Sequence, residues 1–355
     1  KTFLGSILIF SLASLANGFA TNVLMFTITR AITGFGVFCL MVCSQVYIAE
    51  MTPSESRGKW QSLTAAVGFI AAPFIGILCR AVIPLSPSAW RFIFILGGIG
   101  ILGFFVGLKY LKESPRWLVA QGKVEEAEKV IESLTKVNVD LSEAASKVEP
   151  KIKVREVIVG LVSRKYIKRT FVILSFVIFT VPAGFVITNW TTTLLTERGL
   201  GVEASLTATT LLMFGVPAGC FFSSFIADKG GRKIPMAAMA ITVAILSVIF
   251  GKVEGFIPIV LIGFLMIGAN MALGFITFSY IAENYPTRMR NTSTGIHNAA
   301  GRLSTSVLQV FVPVVFAQYH FAGVYNMVAI MVCLPVAILL LWGERTGGKP
   351  LEECC

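Results

Sequence analysis

Charge is scarce in this chain. Charged residues fill 14% of 355 positions against 55% hydrophobic, and mean hydropathy is +0.79. A soluble domain needs far more charge to cover its surface, so the soluble classes do not fit. Cysteine chemistry is also missing: the seven cysteines show no metal-ligand spacing. Cys39 and Cys43 share one helix face, where thiols in an apolar helix serve as small packing residues. Cys354 and Cys355 leave two readings open, palmitoylation or simply the point where the sequence stops. There is no nucleophile–base set and no metal cluster, which argues against an enzyme, and no cofactor is expected. The first apolar run lacks an initial Met, an extended basic region and a small-residue cleavage site, so it is not a signal peptide.

What is present is a series of apolar runs of ~20 residues, enough to cross a hydrocarbon core of ~30 Å. Ten are expected, at 2–20, 23–49, 60–79, 91–111, 170–194, 204–227, 234–251, 256–282, 291–318 and 322–342. The net charge of +11 raises the question of nucleic acid, but the basic residues gather in alternate loops. Loops 50–59, 112–169, 228–233 and 284–290 hold them, while the intervening loops hold only Arg80, Arg198 and Lys252, with Arg91 at a helix start. That is the positive-inside pattern, which places those four loops and the C-terminus in the cytoplasm. A nucleic-acid face would not be cut into pieces by membrane spans, so nucleic acid is not an expected partner.

One phrase is written twice. Tyr47-Ile-Ala-Glu50-x-x-Pro53-x-x-x-Arg57 returns 233 positions later as Tyr280-Ile-Ala-Glu283-x-x-Pro286-x-x-x-Arg290. A repeat of this length in an apolar chain indicates two related helical bundles in tandem, the build of many secondary transporters. Asp228-Lys-Gly-Gly-Arg232-Lys233 precedes a span, and shifting Lys233 back by 232 lands on Lys1, also just ahead of a span. Six spans follow residue 169 and four precede it, so two N-terminal helices are expected to be missing; an intact ten-span protein is the alternative. The resulting organisation is an incomplete N-terminal bundle at 1–113, a linker at 114–168, a six-helix bundle at 169–343 and a tail at 344–355.

These residues resemble the major facilitator superfamily. Asp-x-x-Gly-Arg-Lys after a span and Glu-x-x-Pro-x-x-x-Arg in both halves carry the resemblance. Glu113-Ser-Pro-Arg-Trp117 and Glu344-Arg-Thr-Gly-Gly-Lys-Pro-Leu-Glu352 are similar to the branch holding sugar porters and organic-ion transporters. The resemblance implies an all-α membrane protein with the two-bundle major facilitator-type fold. The ten visible transmembrane helices would be the family's third to twelfth, with short cytoplasmic amphipathic helices between the bundles. Those helices are legible in the residues themselves. Ser114 is an N-cap and Pro115 a first helical residue, and Val124, Ala127, Ile131 and Leu134 recur at helical spacing between charges. A plain linker is the alternative.

Carboxylates and guanidiniums meet at the expected cytoplasmic helix ends. Glu50, Glu283 and Asp228 lie beside Arg57, Arg290 and Arg232. Bidentate pairs there would latch the bundles in one conformation and release them in another. Solvated interface charge, worth under about 1 kcal/mol per pair, is the alternative.

The solute chemistry is expected in the span 291–318. Asn291, Thr294, Asn298, Arg302, Thr305 and Gln309 follow at steps of three and four, on one helix face. A polar stripe of this length in lipid faces a watery cavity or other helices. Arg302 lies ~16 Å inside the span at 1.5 Å per residue, near mid-membrane. Burying it unpaired would cost about 2.5–3.5 kcal/mol even on the gentler insertion scale, so it needs a partner. Every Asp and Glu of the chain lies in a loop or at a span end, which leaves an acid on missing helices, helix carbonyls or an anionic substrate.

In the resembling family, organic-anion and aromatic-acid carriers tend towards Arg at this place, and sugar porters towards a neutral residue. The sugar-porter Gln-Gln-x-Ser-Gly is absent from 170–194, which reads Phe-Thr-Val-Pro-Ala-Gly-Phe-Val-Ile-Thr-Asn-Trp. Arg302 is therefore expected to hold a carboxylate, with Asn298, Asn270 and Gln309 as polar neighbours. Asn270 has a packing hydrogen bond as its alternative, and Arg302 an internal ion pair.

Arg30, with Gly34 and Gly36, is similar to the family's Arg-x-x-x-Gly signature and is the candidate coupling residue. It also lies close enough to the outer end to snorkel to water. Gly68-x-x-x-Ala72-Pro73-x-x-Gly76 resembles the antiporter motif but departs at Ala72, so it does not establish exchange. His297 in this setting is a structural hydrogen-bonder.

The expected function is secondary transport of a small organic solute by alternating access, with an organic anion ahead of a monosaccharide. The partners are that small molecule, the lipid bilayer and a coupling proton, and a monomer is expected. A transporter-like nutrient receptor, which binds solute and signals without moving it, is the rival class.

Overall fold

The computed structural model describes residues 2–52, 57–136, 139–141, 154–226, 232–344 and 346. Among these, every regular element is helical. They fall into two compact units, one of residues 1–61 and 78–150, the other of residues 62–77 and 151–355.

In the first unit, α1 (Thr2–Gly18) packs on α2 (Val23–Met51), α5 (Trp90–Leu96) and α6 (Gly100–Tyr110). Asn22 caps α2 by accepting from the Met25 N–H at 2.7 Å. Between α2 and α5 in the chain lie α3 (Arg57–Phe69) and α4 (Ala71–Val82), whose residues 62–77 belong to the second unit. After α6 come the short α7 (Pro115–Ala120) and α8 (Val124–Thr135). The Ser114 hydroxyl accepts from Trp117 N–H at 3.3 Å with Pro115 in the first helical position, as the sequence predicts. Ala127 of α8 is buried, whereas Leu134 is 53% exposed and does not join that packing.

The second unit runs from α9 (Val154–Val162) through α10 (Ile167–Phe185), a π-helical segment Val186–Trp190 and α11 (Thr191–Glu197). It continues with α12 (Val202–Met213), α13 (Gly215–Ile226), α14 (Lys233–Lys252), α15 (Phe256–Glu283), α16 (Thr287–Leu308) and α17 (Phe311–Trp342). Here α10 packs on α16 and α17, α14 on α15 and α17, and α15 on α12 and α13. Phe250, Phe321 and Tyr325 form an aromatic cluster in its core, with ring centroids 4.7 to 5.7 Å apart. The α13–α15 crossing brings backbone to backbone: a Cβ on Gly219 would lie 2.1 Å from the Gly268 carbonyl oxygen. Small residues permit such approaches where apolar burial cannot drive helix association.

Three helix breaks are each followed by a proline four residues on, whereas Pro182 and Pro335 stand inside helices. A proline ring clashes with the carbonyl four residues earlier. Pro73 acts on Phe69, where α3 ends, and Pro217 on Met213, where α12 ends. Pro313 acts on Gln309, one residue past the end of α16.

Eight helices among the described residues are long and apolar enough to cross a membrane. The ten expected spans differ from these by α1, with 17 residues, and by α16, whose polar residues lower its hydropathy. The expected gap between 318 and 322 falls on a break inside α17, where His320 takes φ 55° and ψ −162°.

Candidate functional site

The second unit carries polar structure at two levels. The first is the end where α15 stops and α14 begins. Glu283, the last residue of α15, accepts from both Nε and Nη2 of Arg232 through Oε1, each at 2.9 Å. The pair is largely shielded, with side chains 12% and 17% exposed. Around it, the segment after α17 is tied down. Lys233 Nζ donates to the Gly343 carbonyl at 2.8 Å and the Arg232 backbone N–H to that of Thr346 at 2.8 Å. The Tyr280 hydroxyl donates to the Glu344 carbonyl at 3.2 Å, and Arg169 Nη2 lies 2.6 Å from Glu344 Oε2.

Beneath this, in the turn between α15 and α16, the Tyr285 hydroxyl lies 2.9 Å from Thr170 Oγ1 and 3.4 Å from His297 Nε2. The other ring nitrogen of His297 is 2.7 Å from the Ser293 carbonyl oxygen, so the imidazole is a structural hydrogen-bonder at this place. Burial pushes the Tyr285 hydroxyl up to about 12, against the smaller lowering effects of Thr170 and Arg169.

Of the residues expected to latch the bundles, Arg232 and Glu283 are thus joined. Arg290 sits in the first turn of α16, half-buried. The side chains of Glu50 and Arg57, and the whole of Asp228, lie outside the described residues.

The second level is the stretch where α10 loses its regular form. Pro182 offers no N–H, and four residues later the helix widens into the π segment Val186–Trp190. Such bulges recur at functional sites. Two expected site residues converge on this stretch. Asn270 of α15 is buried against Gly184, where an added Cβ would lie 2.9 Å from its Nδ2, so the amide rests on bare α10 backbone. Gln309, at the break that Pro313 imposes, accepts from the indole Nε1–H of Trp190 through Oε1. Gly184 and Trp190 are about 9 Å apart along a helix axis at 1.5 Å per residue. Gln309 Nε2 is buried with no hydrogen-bond partner among the described residues. An unmet donor of this kind costs about 1–3 kcal/mol.

The other two lie on α16. Its buried side is the row Met289, Ser293, His297, Gly301 and Thr305, and Gly301 faces Val177 and Val181 of α10. Arg302 is exposed beside that row, with Asn298 half-buried a turn away. Asn298 spends an amide N–H on the Thr294 carbonyl at 2.9 Å, which leaves its Oδ1 as acceptor. The expected polar stripe is therefore divided. Thr305 turns into the buried row and donates to the Gly301 carbonyl, while Arg302 stays on the open side. The Asn291 side chain lies outside the described residues.

Arg30 belongs to the first unit, where its guanidinium carbon stands 5.2 Å from the Phe94 ring centroid, a cation–π contact. Sequence reasoning did not single out Trp190, whose indole N–H meets the expected site residue Gln309. The signal was a proline followed by Thr188, Asn189 and Trp190 in an otherwise apolar run.

Residues 1–354 match the family described as "Sugar (and other) transporter". The chain is 30% identical over 352 residues to the "Putative metabolite transport protein YyaJ" of Bacillus subtilis (strain 168), covering 97% of this chain and 77% of that protein. It is 24% identical over 357 residues to the niacin transporter NiaP of Acinetobacter baylyi, covering 99% and 80%. Among solved structures, the xylose transporter XylE from E. coli in a partially occluded inward open conformation superposes with a TM-score of 0.76 at 21% identity, over 98% of this chain and 81% of that one. The major facilitator superfamily transporter FucP, in the outward conformation, gives 0.63 at 13% identity over 97% and 83%.

Proposed function

The chain belongs to the sugar (and other) transporter family, an assembly of multi-pass membrane transporters with the major facilitator fold, and from that premise we propose that its solute is a small organic anion. Transport proceeds by alternating access, in which two bundles rock about a central site so that the solute sees one side at a time. The observation that carries the anion is Arg302, an exposed guanidinium on α16 beside its buried row, at a position the sequence sets near mid-span. A charge at that depth is costly and marks a solute or ion path. A carboxylate offset by Arg302 meets further polar groups in Asn298, Asn270 and Gln309. The relative named as a niacin transporter agrees with a solute of this class, since niacin is a pyridine carboxylic acid.

A monosaccharide is the second reading, favoured by the family's description and by amide groups able to pair with hydroxyls. In both readings the Arg232–Glu283 pair, which lies within the second unit, holds that bundle in one conformation on the cytoplasmic side, and Glu50, Arg57, Asp228 and Arg290 are candidates for a latch role of the same kind. The ten-span arrangement and the bundle boundaries belong to the same proposal. A proton is the coupling ion, with Arg30 as a candidate in its path, and the protein works as a monomer.

The test is uptake of labelled nicotinate, benzoate and glucose by the full-length protein in vesicles, with and without a pH gradient. The carboxylates are expected to accumulate, and Arg302→Ala to abolish that accumulation while membrane insertion is intact. Uptake kinetics unchanged in Arg302→Ala would remove the role of this residue. Glucose as the sole accumulated solute would replace the anion with the sugar.

A further inference from the structure

The contact between Trp190 and Gln309 fixes the polarity of one part of the site. An indole N–H is a donor and never an acceptor. A carboxamide has one end of each kind, so Oε1 must face Trp190, as it does. This orientation follows from the chemistry of the pair, whichever way two nearly identical amide ends are first assigned. The end left over is Nε2, a donor, buried and with no hydrogen-bond partner among the described residues.

Both residues are held in place. Trp190 closes the π segment, and Thr191 beside it lies 2.8 Å from the Tyr325 hydroxyl while donating to the Ile187 carbonyl at 2.5 Å. Gln309 sits where Pro313 forces the helix to step.

We propose that Trp190 is a positioning residue for solute selectivity. By occupying the carbonyl of Gln309, it commits this part of the site to a hydrogen-bond acceptor on the solute, such as a carboxylate oxygen or an aromatic ring nitrogen. The assignment rests on the reading of Gln309 as a solute contact. In the conformation described, the Nε2 end is closed to water. An acceptor reaches it only as the site rearranges, and a solute supplying that acceptor favours the rearranged state. A ligand shifts a conformational equilibrium by such a difference in affinity and by nothing else.

The test compares the full-length wild type with Trp190→Phe, Gln309→Leu and the double variant in uptake of nicotinate, nicotinamide and glucose. Trp190→Phe keeps an aromatic ring and deletes the N–H, which frees the amide to turn. The KM for nicotinate is expected to rise about tenfold while Vmax and membrane abundance hold, the mark of lost solute binding. Preference for nicotinate over nicotinamide, whose amide brings donors, narrows by a similar factor. Gln309→Leu then costs far less in the Trp190→Phe background than alone, because the two residues act as one unit. Trp190→His, which retains a ring N–H, recovers part of the preference.

Additive effects of the two substitutions, or a fall in Vmax with selectivity unchanged, overturn the proposal and leave Trp190 a packing role. If the wild type carries glucose and neither pyridine, the anion reading falls alone, and the same KM and coupling measurements on glucose still decide the role of Trp190. Uptake of none of the three counts against both.

Discussion

The two polar levels of the second unit are built from similar groups and use them in opposite ways. At the Arg232 end, cations meet carboxylates and backbone carbonyls that the fold itself supplies: Arg232 with Glu283, Arg169 with Glu344, Lys233 with Gly343. Around the π segment, the side chains spend part of their capacity on each other and keep part back. Gln309 gives its oxygen to Trp190 and withholds its N–H groups, and Asn298 gives an N–H to its own helix and withholds its oxygen. Charges paired within the fold fix a conformation, although Glu283 Oε2 is itself buried with no hydrogen-bond partner among the described residues. A set with one member left over selects a visitor.

The contrast is broken most severely at Arg302. Arg302→Ala is expected to lower nicotinate and benzoate uptake about 100-fold or more, a loss of roughly 3 kcal/mol, with Arg302→Lys intermediate because an ammonium lacks the planar fork for a carboxylate. Uptake rates in vesicles normalised to membrane abundance measure this.

At the closed level the expected effect is smaller and of a different kind. Arg232→Ala or Glu283→Gln leaves one largely shielded charge or acceptor without its partner, at a cost of about 3 kcal/mol. The latch role predicts about tenfold slower transport with little change in KM, because the solute-facing groups are untouched. The exchanged pair Arg232→Glu with Glu283→Arg recovers part of the rate, and failure of any recovery would leave the pair a structural contact only.

Glu344→Ala sharpens the comparison within the closed level. Glu344 is 44% exposed, so its bond to Arg169 is worth less than about 1 kcal/mol. A melting temperature lowered by only a few degrees in detergent, with a deficit that shrinks as salt rises, is the expected outcome.

The smallest effect at neutral pH is at Tyr285. Its hydroxyl titrates at about 12 in the fold, above the value of 10.0 usual for tyrosine. The folded state therefore holds its proton more tightly. The stabilisation is fully present below pH 10 and disappears as pH rises through about 12. Tyr285→Phe is expected to weaken the alkaline fall in melting temperature between these values while changing little at pH 7.

Much of this was legible beforehand because the physics is local. Apolar runs mark which segments are able to cross a membrane, eight among the described residues against ten expected, and the pattern at Ser114-Pro115 and from Val124 marks short amphipathic helices. The site was legible in pieces. Polar residues at steps of three and four place Asn298, Arg302 and Thr305 along one region of α16 and Gln309 at its end, but a stripe wider than the helix contact has an edge. Packing against Val177 and Val181 drew Thr305 into the buried row and left Arg302 outside it. Trp190 escaped notice because an indole in an apolar run looks like packing until its N–H is seen to have a destination.

The chain by itself determined that it is a helical membrane protein of duplicated design, since hydropathy, loop charge and repeats need no tertiary knowledge. Only the tertiary structure decided which polar groups are consumed and which remain. Hydrogen-bond satisfaction depends on residues such as Trp190 and Gln309, 119 positions apart, and a pairing over that distance exists only once the helices have packed.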